Sequence, residues 1–167
     1  MIIRPTQLLD IEKLSPLYAE LGYPVKEAEL VRRLKTVLFH PDYHLLVAVD
    51  DNEIIGMIGY AKMLFFENEG AYYHILIMAV LQNYRRNGVA TALLDAVKNC
   101  ALSENIHALA LNSGDTLERQ ITRRFYENYV FKEASRGYSL YAKIMLIVNS
   151  FKIIVTFLMC YNKAIKY

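Results

Sequence analysis

Residues 75–100 restrict the possible folds more than any other part of the chain. Ile75 to Val80 is an unbroken apolar run, and Leu81-Gln82-Asn83-Tyr84-Arg85-Arg86-Asn87 then turns polar and basic. From Val89 onward, Val89, Ala92, Leu93, Ala96, Val97 and Cys100 recur at the i, i+3, i+4, i+7 spacing of one buried helix face. The pattern reads as strand, basic loop, helix start. The first N–H groups of a helix have no partner within it, and its dipole places partial positive charge there, so such a junction can seat an anion. Gly88 and Ala90 leave room for a ligand to approach the main chain closely. Arg85 and Arg86 add fork-shaped, permanently charged donors suited to phosphate.

The rest of the chain has to supply a core for this junction. Its 167 residues suit one domain. A net charge of +2 is too mild to argue for nucleic acid, where a clustered basic face is expected. Cys100 and Cys160 alone offer neither a disulfide framework nor a metal-ligand spacing, so no metal is expected. The first residues lack the long apolar core of a signal peptide, and a reducing cytoplasm is the default location.

Read in order, residues 1–4 form a short strand stopped by Pro5. Ile11, Leu14, Tyr18 and Leu21 space as a helix face that Pro16 interrupts, predicting a restart with Ser15 as cap. Gly22-Tyr23-Pro24 ends that segment, and residues 28–38 form a second helix. Residues 44–49 and 54–66 form a hairpin around Asp50-Asp51-Asn52, and residues 71–80 form the strand that feeds the basic loop. After the long helix come a strand at 108–111 ending at Asn112 and a helix started by Asp115 and Glu118 that runs to about 128. Two closing strands follow, at 131–134 and 138–143. Strands come in runs as well as alternating with helices, which predicts an α/β (α+β) fold with a mixed sheet and helices on both faces.

An ordinary basic turn has the same shape. A P-loop is excluded because its Lys-Ser/Thr ending is missing, and no G-x-G-x-x-G is present. Arg85-x-x-Gly88-x-Ala90 instead resembles the R/Q-x-x-G-x-G/A signature of the GNAT superfamily of N-acetyltransferases. Two further stretches support the resemblance. Leu45 to Gly56 is similar to the family's second and third strands around an acidic turn, and Arg123-Arg124-Phe125-Tyr126-Glu127-Asn128-Tyr129-Val130-Phe131 is similar to its late helix, with Val130 where a Gly usually stands. The resemblance covers roughly residues 1–143. It implies a mostly antiparallel sheet with a splay between the strands ending at Val80 and Asn112.

The resemblance also implies acetyl transfer from acetyl-CoA to a primary amine, of a small molecule rather than of a protein. The pantetheine arm is expected along Met78, Ala79 and Val80, with one N–H group facing the thioester oxygen. The pyrophosphate is expected in the loop of Arg85, Arg86, Asn87, Gly88, Val89, Ala90 and Thr91. Tyr126 is the candidate general acid, since a phenol stays protonated at neutral pH and can donate to a leaving thiolate. Many relatives carry a carboxylate base on the strand before the signature, where this chain has Leu76 and Ile77. His74 is the nearby candidate base, with a water chain or an already neutral amine as the alternatives. Asn112 is either a ligand to the arm or an ordinary turn residue. By family analogy Tyr23, Tyr72, Tyr73, Arg136 and Tyr138 line the acceptor pocket. The missing carboxylate keeps a second class open: an acyl-CoA-binding sensor on the same fold without turnover.

Residues 144–167 lie beyond this resemblance as an apolar extension. Lys152 within it disfavours a membrane span, for which about 20 apolar residues are needed. A helix docked on the body or in a homodimer interface is one reading, and a strand pair turning at Asn149-Ser150 is the other.

Overall fold

Alternating apolar residues build a five-stranded sheet in the computed structural model, which describes residues 1–113, 120–129 and 131–132. The strands are β1 (Ile2–Pro5), β2 (Tyr43–Asp50), β3 (Glu53–Leu64), β4 (Ala71–Val80) and β5 (Leu109–Leu111), adjacent in that order. β1 to β4 are antiparallel, and β5 joins parallel to β4 after the crossover through α3 (Val89–Ser103). The remaining helices are α1 (Ser15–Glu20), α2 (Glu27–Leu38) and α4 (Gln120–Asn128). All described residues fall in one compact unit, Met1–Ala134. Among them no helix is long and apolar enough to cross a membrane.

Successive side chains of a strand point to opposite faces. On one face Leu46, Ala48, Ile58, Tyr60, Tyr73 and Ile75 pack against Val89, Leu93, Leu94 and Val97 of α3. On the other, Leu45, Val47, Met57 and Ala79 pack against Ile11, Leu14, Leu17, Leu30 and Leu34 of the N-terminal helical segments. Leu94 and Ala101 are buried on α3 although the sequence spacing passes over them. The stripe is wider than the ideal spacing because the helix lies flat on a sheet.

Two bulges set the phase of the strands. Ala48 pairs with Gly56 while Val49 pairs with Ile54, so Ile55 is the extra residue. In β4, Gly59 pairs with Ile77 while Tyr60 pairs with Ile75, leaving Leu76 without an opposite number. Before that bulge Tyr73 and Ile75 face α3; beyond it Ile77 and Ala79 face the α1–α2 side. One added residue reverses every later side chain, which an apolar run by itself does not display. Gly59 is required here, because a Cβ at that position would lie 2.6 Å from Ile77 Cγ2.

Several boundaries differ from the sequence reading. The N-terminal segment does restart near Pro16, as a 3-10 helix at Leu8–Leu14 followed by α1. Ser15 is not its cap: Leu14 occupies that position, and the Ser15 hydroxyl donates to the Val25 carbonyl at 3.0 Å, tying α1 to the approach to α2. β3 ends at Leu64 and not at 66, because Phe65 and Phe66 lie beyond the last paired residue, Ala71. β5 spans Leu109–Leu111 and omits Ala108, whose carbonyl still accepts from Tyr73 N at 3.0 Å. The helix start expected at Asp115 and Glu118, the strand pair at 131–143, and the extension at 144–167 lie outside the described residues, apart from 131 and 132.

Candidate active site

The loop from Leu81 to Gly88 is held from three sides. Leu81 N donates to the Ile55 carbonyl at 3.0 Å, and a short 3-10 helix, Gln82–Tyr84, follows. The Tyr84 hydroxyl donates to Glu53 Oε2 at 2.7 Å, which anchors the loop to the β2–β3 turn and raises the phenol's pKa. Glu20, the last residue of α1, accepts from Gln82 N at 3.3 Å and from Arg85 Nη2 at 2.5 Å. Arg85 Nε also donates to the Val80 carbonyl at 3.1 Å. The Arg85 guanidinium is therefore bound back onto the protein and braces the loop, where sequence reading gave it to phosphate. Glu20 carries no motif, so no sequence signal marked it.

Arg86 and Gly88 both take left-handed conformations, with φ of 63° and 80°. Gly88 is the N-cap residue of α3, and nothing lies within 4 Å of the Cβ it lacks. The helix ladder begins with Ala92 N donating to the Gly88 carbonyl at 2.9 Å. Among the described residues, no backbone carbonyl or side chain accepts from the N–H groups of Arg86 to Thr91. Left-handed turns beside a helix start turn successive N–H groups to one side, the arrangement of an anion-binding nest. Arg86, Asn87, Gly88 and Thr91 are exposed, Ala90 is half-buried, and Val89 is buried beneath them against Gly56.

β4 leads into this nest. Its ladder with β5 consists of Tyr73↔Leu109, His74↔Ala110 and Ile75↔Leu111. From the Leu76 bulge to Val80, β4 pairs only with β3 among the described residues. Met78 and Val80 pack toward α3, and Ala79 packs toward the opposite core. Asn112 is exposed just past β5, and the hydroxyl of the neighbouring Ser113 is buried with no partner among the described residues.

Tyr126 is half-buried on α4. Its ring lies edge-on to Phe131 at 5.9 Å and against the core of the α3 face. α4 is tied to α3 by the Tyr129 hydroxyl, which donates to Asp95 Oδ1 at 2.5 Å. His74 is half-buried and belongs to the α1–α2 face, with Tyr72 beside it at 6.2 Å.

Of the residues proposed for the acceptor pocket, the three described ones, Tyr23, Tyr72 and Tyr73, do not gather. Tyr73 is a correction: it is wholly buried under α3, its ring tilted against that of Tyr60 at 4.7 Å, and faces away from Tyr72 and His74. Strand alternation sends it to the core, and the sequence run gave no phase to show this. Burial drives its phenol's pKa up, with the Glu104 carboxylate as the next cause. Tyr23 follows α1 and is largely exposed, and Tyr72 packs against Phe65 at 4.9 Å. Arg136 and Tyr138 lie outside the described residues. The sequence reading missed a half-open cleft of about 160 Å³ over the β4 bulge, lined by Tyr18, Leu34, Val37, Leu45, Leu76 and Ile77 among others.

Comparison with known proteins agrees with this geometry. A GNAT family acetyltransferase of Staphylococcus aureus subsp. aureus USA300_TCH1516 superposes with a TM-score of 0.74 at 31% identity, covering 84% of this chain and 98% of its own. A transcriptional regulator of Bacillus halodurans C-125 (TM-score 0.74, 22% identity, 84% and 99% coverage) shares the fold. So does an aminoglycoside 6'-N-acetyltransferase of Acinetobacter haemolyticus (TM-score 0.73, 19% identity, 87% and 100% coverage). The model of the Acetyltransferase (GNAT) family matches residues 7–130, a span that runs from the N-terminal helical segments through the nest to α4. With that match over most of its length, the chain belongs to the GNAT family of acetyltransferases.

Proposed function

We propose that the protein transfers the acetyl group of acetyl-CoA to a primary amine of a small molecule. The observation that carries this is the nest at Arg86–Thr91, whose N–H groups have no acceptor among the described residues. The open space at Gly88 lets a diphosphate reach the main chain, so the residues present fit the coenzyme. When bound, acetyl-CoA supplies an activated acyl group. The N–H groups from Arg86 to Thr91 hold the diphosphate, with Arg86 as the nearby cation and Arg85 as the brace. Met78, Ala79 and Val80 offer main chain to the pantetheine arm along the stretch of β4 that β5 does not pair with among the described residues. Asn112 and Ser113, at the end of β5, are assigned to the other side of the arm.

Tyr126 Oη is assigned the proton that the leaving sulfur takes up, and an imidazole nitrogen of His74 the proton released by the amine. Tyr126→Phe is expected to lower kcat by tenfold or more, in the range of general acid catalysis, with coenzyme A affinity unchanged in calorimetry. Unchanged turnover removes the assignment. If His74→Ala leaves the pH–rate profile where it was, the base is elsewhere. Fold relatives that act on aminoglycosides favour a small amine over a protein amine as acceptor.

Leu76 and Ile77, where many relatives carry a carboxylate, support one second reading: a sensor that binds acyl-CoA without turnover. Thiol release with a panel of amines separates the two, since binding without release favours the sensor. We assign the catalytic domain to residues 1–143. The apolar sequence of residues 144–167 calls for cover, by the body of the domain or by a second copy of the chain. Truncation after residue 143 that leaves solubility and oligomeric state unchanged would remove that assignment.

A further inference from the structure

We infer that the preferred acceptor is an amine carried on a compact apolar group of roughly six to eight heavy atoms, seated in the cleft over the β4 bulge. This rests on the transfer reaction proposed above and names its substrate class. The bulge residue Leu76 is 54% exposed, and it stands where the β4–β5 ladder stops. Beside it, Ile77 turns toward α1 and α2, and Tyr18, Leu34, Val37 and Leu45 form most of the apolar wall, with His44 and the tyrosines Tyr43 and Tyr60 also lining the cleft.

No carboxylate, lysine or arginine lines this cleft among the described residues. A polycation placed there would lose water and gain no charged partner. Glu12, Glu27, Asp51 and Glu53 instead surround a separate hollow at the β2–β3 turn, next to Leu81. The volume of about 160 Å³ bounds the part of the occupant that this half-open cleft buries. An apolar cavity of about 150 Å³ takes a benzene ring. A phenyl or pentyl-to-hexyl group therefore fits, while an aminoglycoside does not enter. The cleft selects by apolar contact on the side where the amine must arrive, and the substrate nitrogen stays at its mouth beside Leu76 and His74.

The test is thiol release from acetyl-CoA with ethylamine, butylamine, hexylamine, 2-phenylethylamine, spermidine and kanamycin. kcat/KM should climb by about fourfold per added methylene, the factor for burying a CH2 group. 2-Phenylethylamine should exceed spermidine and kanamycin by at least tenfold. Val37→Glu at the half-buried rim should remove that preference. Val37→Thr, of the same shape, should weaken it about threefold, which guards against a folding defect in the first variant. A higher kcat/KM for spermidine or kanamycin overturns the inference and leaves the transfer reaction standing. If no amine releases thiol, the proposed reaction falls, and calorimetry with 2-phenylethylamine in the presence of coenzyme A decides the cleft. Binding that Val37→Glu abolishes sustains the apolar site, and absence of binding overturns it.

Discussion

The two faces of the sheet are covered in different ways. On the α3 face the 15-residue α3 lays Leu93, Leu94 and Val97 on the strands with no exposed surface left, and Phe125 and Tyr126 of α4 pack against the same core. On the other face the cover is broken into a 3-10 helix, the six-residue α1 and α2. Polar ties hold these pieces. Arg4 donates to both carboxylate oxygens of Asp10, at 2.6 and 2.9 Å, and Gln7 N donates to the same group at 2.7 Å. Ser15 ties to Val25, and Glu20 to the nest loop. The long helix closes its face; among the described residues the jointed pieces leave a gap, and the gap falls over Leu76. The face with the weaker cover is the one with room for an acceptor.

Truncating a core leucine on each face tests this most strongly. Leu93→Ala should cost about 3–4 kcal/mol in urea unfolding, because the site is closed and cannot collapse around the void. Leu34→Ala, beside the cleft, should cost about 2 kcal/mol, the low end of the range for a buried leucine, since part of its surroundings is already open. Equal costs would mean that the α1–α2 side is packed as tightly as the other.

The next effect concerns the polar ties. Asp10→Asn should lower stability by about 2 kcal/mol, the range for hydrogen bonds to a charged group. The Arg4 guanidinium is the first cause that holds the Asp10 carboxyl below the usual carboxylate range. Its stabilising effect is therefore present above the unfolded value of about 3.9 and is lost as pH falls below it. The α3 face has the opposite sign. Burial drives the phenols of Tyr60 and Tyr73 upward, so their contribution is complete below the ordinary tyrosine value of about 10 and is lost as pH rises beyond it. Urea midpoints at pH 3 and pH 11 should fall for wild type at both ends. Asp10→Asn should flatten only the acid limb, and Tyr73→Phe only the alkaline one.

The smallest stability effect is at the nest. Gly88→Ala meets no neighbour, and its cost of about 1 kcal/mol comes from the left-handed backbone alone. Coenzyme A affinity should drop by about tenfold through the shifted N–H groups. A variant that is destabilised while binding coenzyme A as before would detach the nest from the coenzyme.

Much of this arrangement could be read in the chain. β4 starts and ends as its apolar run predicts, at Ala71 and Val80, and α3 begins at Val89. The Asp51-Asn52 turn takes the left-handed conformations that Asn and Asp tolerate. Other features could not be read. The bulge at Leu76 is hidden because one inserted residue changes the facing of a strand without changing its composition. That insertion decides that Tyr73 is core while Tyr72 and His74 lie on the opposite face. The Glu20–Arg85 pair spans distant parts of the chain and follows no local spacing.

The local periodicities and turn residues of the sequence determined the strands, the long helix and the nest at Gly88, because each depends on neighbours a few residues away. Only the tertiary structure decided that Arg85 braces the loop, that Tyr73 is buried, and that an apolar cleft opens over Leu76. Each of these depends on which strand faces which helix, and a sheet settles that by register between segments remote in sequence.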